Sequence, residues 1–136
     1  MKTIEILEIL NATRNTCLAT RARVADTSWS RARGLIGTPA LPPGQALLID
    51  PSMGIHTCFM SYPIDVVYVD QSDRVVDVDE AMPPWRLGKL RFRAVYVIEL
   101  PAGAVGKTGT QPGDHLNLRP VMQEAEVVRN PEPAIA

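Results

Sequence analysis

Twelve prolines are spread from position 39 to position 133. They limit what this chain can fold into more than any other feature. Proline lacks an amide hydrogen and its ring clashes with the preceding helical turn, so it breaks helix interiors and central sheet ladders. Average usage would place about 7 in a chain of this length. Long helices are therefore excluded from most of the chain after residue 38. The segments left between prolines are short and rich in Val, Ile, Leu and Tyr, the composition of strands.

Residues 4–10 read as a strand, although the Ile6-Leu7 and Ile9-Leu10 pairs also suit a short helix. Residues 11–15 form a polar turn and 16–25 a second strand. Asp26-Thr27-Ser28 supplies N-cap side chains for a short helix through Ile36. Trp29, Ala32, Leu35 and Ile36 fall at helical spacing there, and Gly37 can end it. Residues 39–44 are a loop and 45–50 a strand. Further strands are expected at 55–61 and 64–70, separated by a break at Tyr62-Pro63. A turn at 70–74 and a strand at 75–79 complete a hairpin. Residues 82–93 are an irregular loop and 95–100 a strand, and Pro101-Ala102-Gly103 leads into one short turn. Gln111-Pro112-Gly113-Asp114 has the residue order of a type II turn, followed by a strand at 115–119. Residues 123–128 are a candidate last strand, and 131–136 a loose tail. The pattern predicts one mainly β domain over residues 1–130, a β-sandwich or jelly-roll-like barrel with one short helix near residues 27–36.

Composition narrows the function classes. The net charge is −1 and charged residues make up 21% of the chain. Binders of nucleic acid or of anionic membranes need a basic excess to attract phosphate, so neither partner is expected. No stretch is long and apolar enough to span a bilayer, and two glutamates interrupt the apolar N-terminus, unlike a secretory signal. A cytoplasmic location follows as the expectation. Cys17 and Cys58 are too few for a disulfide framework.

Residues 54–70 are the chemically loaded stretch. His56, Cys58 and Met60 alternate along it, and alternate residues of a strand share one face. Asp65 then opens the otherwise apolar run Ile64-Asp65-Val66-Val67-Tyr68-Val69.

Several pieces of the chain together resemble the domain of unknown function 192 family. They are Arg31-Ala32-Arg33-Gly34-Leu35-Ile36-Gly37, Leu41-Pro42-Pro43-Gly44, the run from Met60 to Asp70, Asp73-Arg74-Val75-Val76, Val97-Ile98-Glu99-Leu100-Pro101-Ala102-Gly103 and Gly113-Asp114. The resemblance spans residues 20 to 118. It implies a compact all-β fold akin to a jelly-roll sandwich with an accompanying helix, and it assigns no biochemical role. Many members of that family carry a longer stretch between the methionine and the aspartate, with Trp before the Met and Lys-Asn-Thr after it. Here Phe59 precedes Met60, and the chain resembles the branch with shorter spacing. A role carried by the Asn and Thr of the longer version does not transfer.

Each candidate residue has an ordinary explanation beside the functional one. His56, Cys58 and Met60 are soft ligands suited to Cu(I), yet Cys and Met are often buried for packing alone. Cys58 with His56, oriented by Asp65, could form a thiol–imidazole pair, but residues two apart on a strand seldom touch. Asp65 could serve a hydrolase as acid or base, or hold a ligand's polar group. It could equally accept backbone N–H groups or pair with Arg31 or Arg33. Glu99, set in Val95-Tyr96-Val97-Ile98-Glu99-Leu100, raises the same question. The segment from Trp85 to Arg93 interleaves basic and aromatic residues, as a phosphate- or base-stacking loop would, or as a solvated loop anchored by Trp85 and Phe92. The reading that follows is a non-enzymatic small-ligand or peptide binding module without a cofactor. Its site is expected between residues 54–65 and the 82–93 loop, on His56, Met60, Tyr62, Asp65, Trp85 and Arg86.

Overall fold

Seven strands run in one continuous sheet in the computed structural model, which describes residues 5–38 and 40–121. In chain order the elements are β1 (Ile6–Asn11), β2 (Thr16–Ala25), α1 (Ser28–Arg33), β3 (Gln45–Ile49), β4 (Ile64–Val69), β5 (Val75–Met82), β6 (Tyr96–Pro101), α2 (Ala104–Thr108) and β7 (Leu116–Pro120). The strand order across the sheet is β5-β4-β6-β3-β2-β1-β7. The β2–β3 pair is parallel and the others are antiparallel. A parallel pair needs a crossover connection, and the segment carrying α1 supplies it. The sheet curls into a half-barrel, so the mainly β architecture with a helix inside residues 27–36 is as the sequence led one to expect.

The core lies on both faces of the sheet. Every residue of β4 is buried. That strand therefore reads, apart from Asp65, as an apolar run rather than an alternation. Val67 and Val69 pack with Leu48, Ile98 and Leu100 on one face, which α2 closes through Val105. Ile64, Val66 and Tyr68 pack with Leu47, Ile49 and Val97 on the other.

Local chemistry explains the boundaries. Thr27 Oγ1 accepts from Ser30 N at 3.0 Å, while Ser30 Oγ accepts from Thr27 N at 3.0 Å, a reciprocal cap that starts α1. Between β4 and β5, Asp70 Oδ1 accepts from Ser72 N and Arg74 N at 2.8 and 3.0 Å, the side-chain turn that Asp favours. Asp114 N donates to Gln111 O at 3.1 Å with Gly113 at φ 96°, as a type II turn requires.

Three expectations need correction. Residues 55–61 do not form a strand: they run as an irregular loop with a single bridge, His56 to Leu87. The helix from Ser28 stops at Arg33 because Gly34, not Gly37, takes the C-cap position. The short turn after Gly103 is a second helix, α2. The candidate strand at 123–128 and the tail at 131–136 lie outside the described residues.

Candidate functional site

Two carboxylates sit on the central strands, and the register sends them to opposite faces. Asp65 pairs with Leu100, whereas Glu99 pairs with Val66 on one side and Leu47 on the other. Asp65 therefore points to the α2 face and Glu99 away from it.

Asp65 is fully buried. Its Oδ1 accepts from Ala81 N at 2.7 Å. Its Oδ2 accepts from Gly103 N at 3.0 Å and Val105 N at 2.8 Å. Those last two amides belong to the first turn of α2, whose N-cap, Gly103, has no side chain to offer. A strand carboxylate thus does the work of an N-cap from outside the helix. Both oxygens are engaged by backbone, and Asp65 is not a wall of the cleft over Glu99. Neither Arg31 nor Arg33 is its partner.

Glu99 has the contrary environment. It is 3% exposed, and its Oε1 is buried without a hydrogen-bond partner. Burial in these surroundings pushes its carboxyl up to about 8, from an ordinary value of 4.5. It forms part of the wall of a cleft of about 310 Å³. The other walls are Arg31 to Ile36 from α1 and its C-terminal turn, Ile49 at the end of β3, and Pro51, Ser52, Gly54, Ile55, His56 and Met60 from the loop that follows. Gly34 turns the chain over the carboxyl with φ 52° and ψ −124°, a conformation that a side chain strains. Its hydrogen stands where a Cβ would lie 4.0 Å from Glu99 Oε1. Tyr62 Oη is a second buried polar atom without a partner. Burial raises the Tyr62 phenol above its ordinary range, and the Glu99 charge raises it further.

The cleft loop is held by its neighbour in space, residues 83–91. Thr57 N donates to Arg86 O, Trp85 N to Thr57 O, Gly88 N to Ile55 O and Arg91 N to Met53 O, all at 2.8–2.9 Å. Thr57 Oγ1 donates to Pro83 O at 2.6 Å and accepts from Arg86 N at 2.9 Å. Gly88 permits this approach, since a Cβ there would lie 2.9 Å from Ile55 O. Arg91 fastens the second loop to the sheet. Its guanidinium lies 4.0 Å over the Tyr68 ring and pairs with Asp77 and Asp79, each at 2.9 Å.

The residues expected to form one site are thus distributed. His56 and Met60 line the Glu99 cleft, and Tyr62 is coupled to it through Glu99. Arg86 lines a second hollow with Asp79, Glu80 and Lys89. Trp85 packs against Phe59 at the surface, ring centroids 4.7 Å apart and planes tilted by 59°. Asp65 is on the far face. With no strand at 55–61, His56, Cys58 and Met60 do not share a direction: His56 is exposed, Cys58 half-buried and Met60 buried in the core. His56 Nδ1 accepts from the Cys58 backbone N at 3.1 Å, so the imidazole meets the peptide and not the thiol. No group of three His, Cys, Asp or Glu among the described residues is arranged to hold a metal ion. Arg31, Arg33, Gly34 and Ser52 join the cleft without having been singled out for it. The signal for Arg31, Arg33 and Gly34 in the sequence was the Arg-Ala-Arg-Gly run at a helix end, which says nothing of what it faces, and Ser52 carried none.

The chain matches the DUF192 family, described as "Uncharacterized ACR, COG1430", over residues 9–118. It is 30% identical over 131 residues to a UPF0127 protein of Thermococcus sibiricus, covering 93% of this chain and 84% of that one. It is 34% identical over 113 residues to a UPF0127 protein of Pyrococcus horikoshii, covering 79% and 96%. Its fold matches a crystal structure of a protein of unknown function from Novosphingobium aromaticivorans with a TM-score of 0.72 at 20% identity, over 84% of each chain. The extent of the family match and the two archaeal relatives together show that this chain belongs to the DUF192 family, whose function is uncharacterised.

Proposed function

We propose that the protein is a non-enzymatic small-ligand binding module, and that its site is the cleft over Glu99. The observation that carries this reading is the buried Oε1 of Glu99, a polar atom without a partner at the edge of an open cleft. A buried polar atom left unpaired costs free energy that a bound partner recovers. A carboxyl pushed up to about 8 holds its proton at neutral pH, so it both donates and accepts. That suits a small polar ligand carrying hydroxyl or amide groups. Arg31 and Arg33 on the rim favour one that also carries a negative group. Of the residues first expected to bind, His56 and Met60 contribute directly and Tyr62 through Glu99.

The experiment is a thermal-shift screen of small polar metabolites against wild type, Glu99→Gln and Glu99→Leu. A compound should raise the wild-type melting temperature and lose about tenfold or more in affinity with Leu at position 99, consistent with one lost buried hydrogen bond to a ligand. Hits that bind the Leu variant as tightly as wild type, or a metabolite set that yields none, count against the reading.

An acid–base enzyme is the second reading, favoured by the same carboxyl, since general acids work with values near the operating pH. Binding is preferred because the cleft offers no second carboxylate among its described lining residues. Its one hydroxyl, Ser52 Oγ, already donates to Gly54 O at 2.6 Å. Turnover of a hit compound that vanishes in Glu99→Gln would favour the enzyme instead.

A further inference from the structure

We infer that the paired loops 53–59 and 85–93 form a docking surface for an anionic lipid membrane. Large apolar side chains project from both: Phe59 is 66% exposed, Trp85 59%, Leu87 83% and Phe92 77%, with Met53 and Leu90 also exposed. Singly, such residues are unremarkable on a surface. Here they ride on two loops laced side by side. Phe59 touches Trp85, Leu87 bridges to His56, Arg91 N reaches Met53 O, and Leu90 Cδ2 lies 3.0 Å from the Cβ position of Gly54.

The exposure is built in. The hydrogen bonds that lace the two loops, the Thr57 staple and the Arg91 clamp fix the backbone beneath these side chains. Phe59 and Trp85, the tilted ring pair, both stand at positive φ, 68° and 64°. Bulky residues adopt that region only when their surroundings impose it. The fold holds the two rings outward rather than letting them collapse inward.

Charge selects the occupant. Between Pro83 and Val95 the chain carries Arg86, Lys89, Arg91 and Arg93 and no acidic residue. Arg91 is engaged by Asp77 and Asp79, whereas Arg86, Lys89 and Arg93 are exposed and form no ion pair among the described residues. Aromatic and aliphatic tips interspersed with exposed cations, two of which (Arg86 and Lys89) share a hollow with Asp79 and Glu80, match the membrane interface. There the apolar groups enter the acyl boundary and the cations meet anionic headgroups. A second copy of this chain docking by the same patch would set these cations against themselves. A nucleic acid would leave Leu87, Leu90 and Met53 without a counterpart, and Trp85 and Phe59 pack against each other at a 59° tilt rather than offering parallel faces to a base. Gly54, Ile55 and His56 of the first loop also line the cleft over Glu99, but the apolar tips and cations of this surface are not among the cleft walls.

The test is co-sedimentation with phosphatidylcholine vesicles with and without phosphatidylglycerol. Wild type should sediment with the phosphatidylglycerol vesicles and less so at high salt. Leu87→Ser combined with Phe92→Ser should weaken that binding about tenfold or more with an unchanged melting temperature, because both side chains are exposed. Arg86→Glu with Lys89→Glu and Arg93→Glu should abolish the preference for the anionic lipid. In a Trp29→Phe background Trp85 is the one remaining tryptophan, and its emission should shift to shorter wavelength on the vesicles. Failure to sediment with either vesicle overturns the proposal. So does sedimentation that the Leu87/Phe92 double variant retains. Self-association abolished by that variant, or binding of a single-stranded oligonucleotide in place of vesicles, would reassign the surface.

Discussion

Asp65 and Glu99 are both buried carboxylates, and the number of partners separates their roles. Asp65 accepts three backbone N–H groups, whereas Glu99 leaves one oxygen unsatisfied beside a cleft. Replacing Asp65 by Ala strands three amides, two of them at the start of α2. The expected cost is about 3 kcal/mol or more of stability, read by urea denaturation; a loss under about 1 kcal/mol would show that α2 does not depend on this anchor. Glu99 predicts a pH dependence of defined sign. Below its ordinary value of 4.5 both folded and unfolded chains hold the proton. Between there and about 8 the unfolded chain has lost it while the native state keeps it. Native stability therefore declines as pH rises through that window, by at most about 1.4 kcal/mol per pH unit, and levels off above it. Glu99→Gln should flatten this slope and be the more stable protein at pH values above the window, in melts recorded across it. A slope that survives the substitution would place its origin elsewhere.

The loops 53–61 and 83–93 act as one element because their backbones hydrogen-bond to each other, with Arg91 anchoring the pair to β5. Gly88 is the position on which that depends. An alanine methyl there would press on Ile55 O at 2.9 Å, tighter than backbone tolerates, so the loops must part. Gly88→Ala is expected to cost about 1–3 kcal/mol. It should also speed proteolysis within residues 53–61 and 83–93, while the sheet keeps its circular-dichroism signal. Protease resistance equal to wild type would mean that the lacing is not what orders them. The expected strand at 55–61 failed for a related reason. Its alternation of His56, Cys58 and Met60 was real in the sequence. However, β4 already has β5 and β6 as its two neighbours, and β3 has β2 and β6. The segment has no vacant place beside the central strands and becomes a loop instead.

At the scale of the whole molecule, the sheet buries β4 and β6 on both faces and flanks each with a strand on either side. The slowest hydrogen exchange should therefore fall on the amides of residues 66–69 and 97–100, and fast exchange on the exposed outer parts of the 53–61 and 83–93 loops. Equal protection across strands and loops would contradict that ordering. Charge also changes meaning at this scale. A net value of −1 argues against acidic partners when averaged over the chain, but one loop concentrates Arg86, Lys89 and Arg93, exposed and in no ion pair among the described residues, beside exposed apolar side chains. Much of the fold was legible in the residues. Prolines excluded long helices, the apolar runs set β2, β3, β4 and β6 close to their observed limits, and Asp70, Pro112 and Gly113 marked their turns. These are local effects, decided by backbone stereochemistry and near neighbours. The site was not legible in the same way. The sequence marked Asp65 and Glu99 equally as charges in apolar strands. Only strand register, which pairs Asp65 with Leu100 and Glu99 with Val66, turned one toward the amides of α2 and left the other facing a cleft. Register is fixed by contacts between residues far apart along the chain, so it emerges only when the sheet assembles.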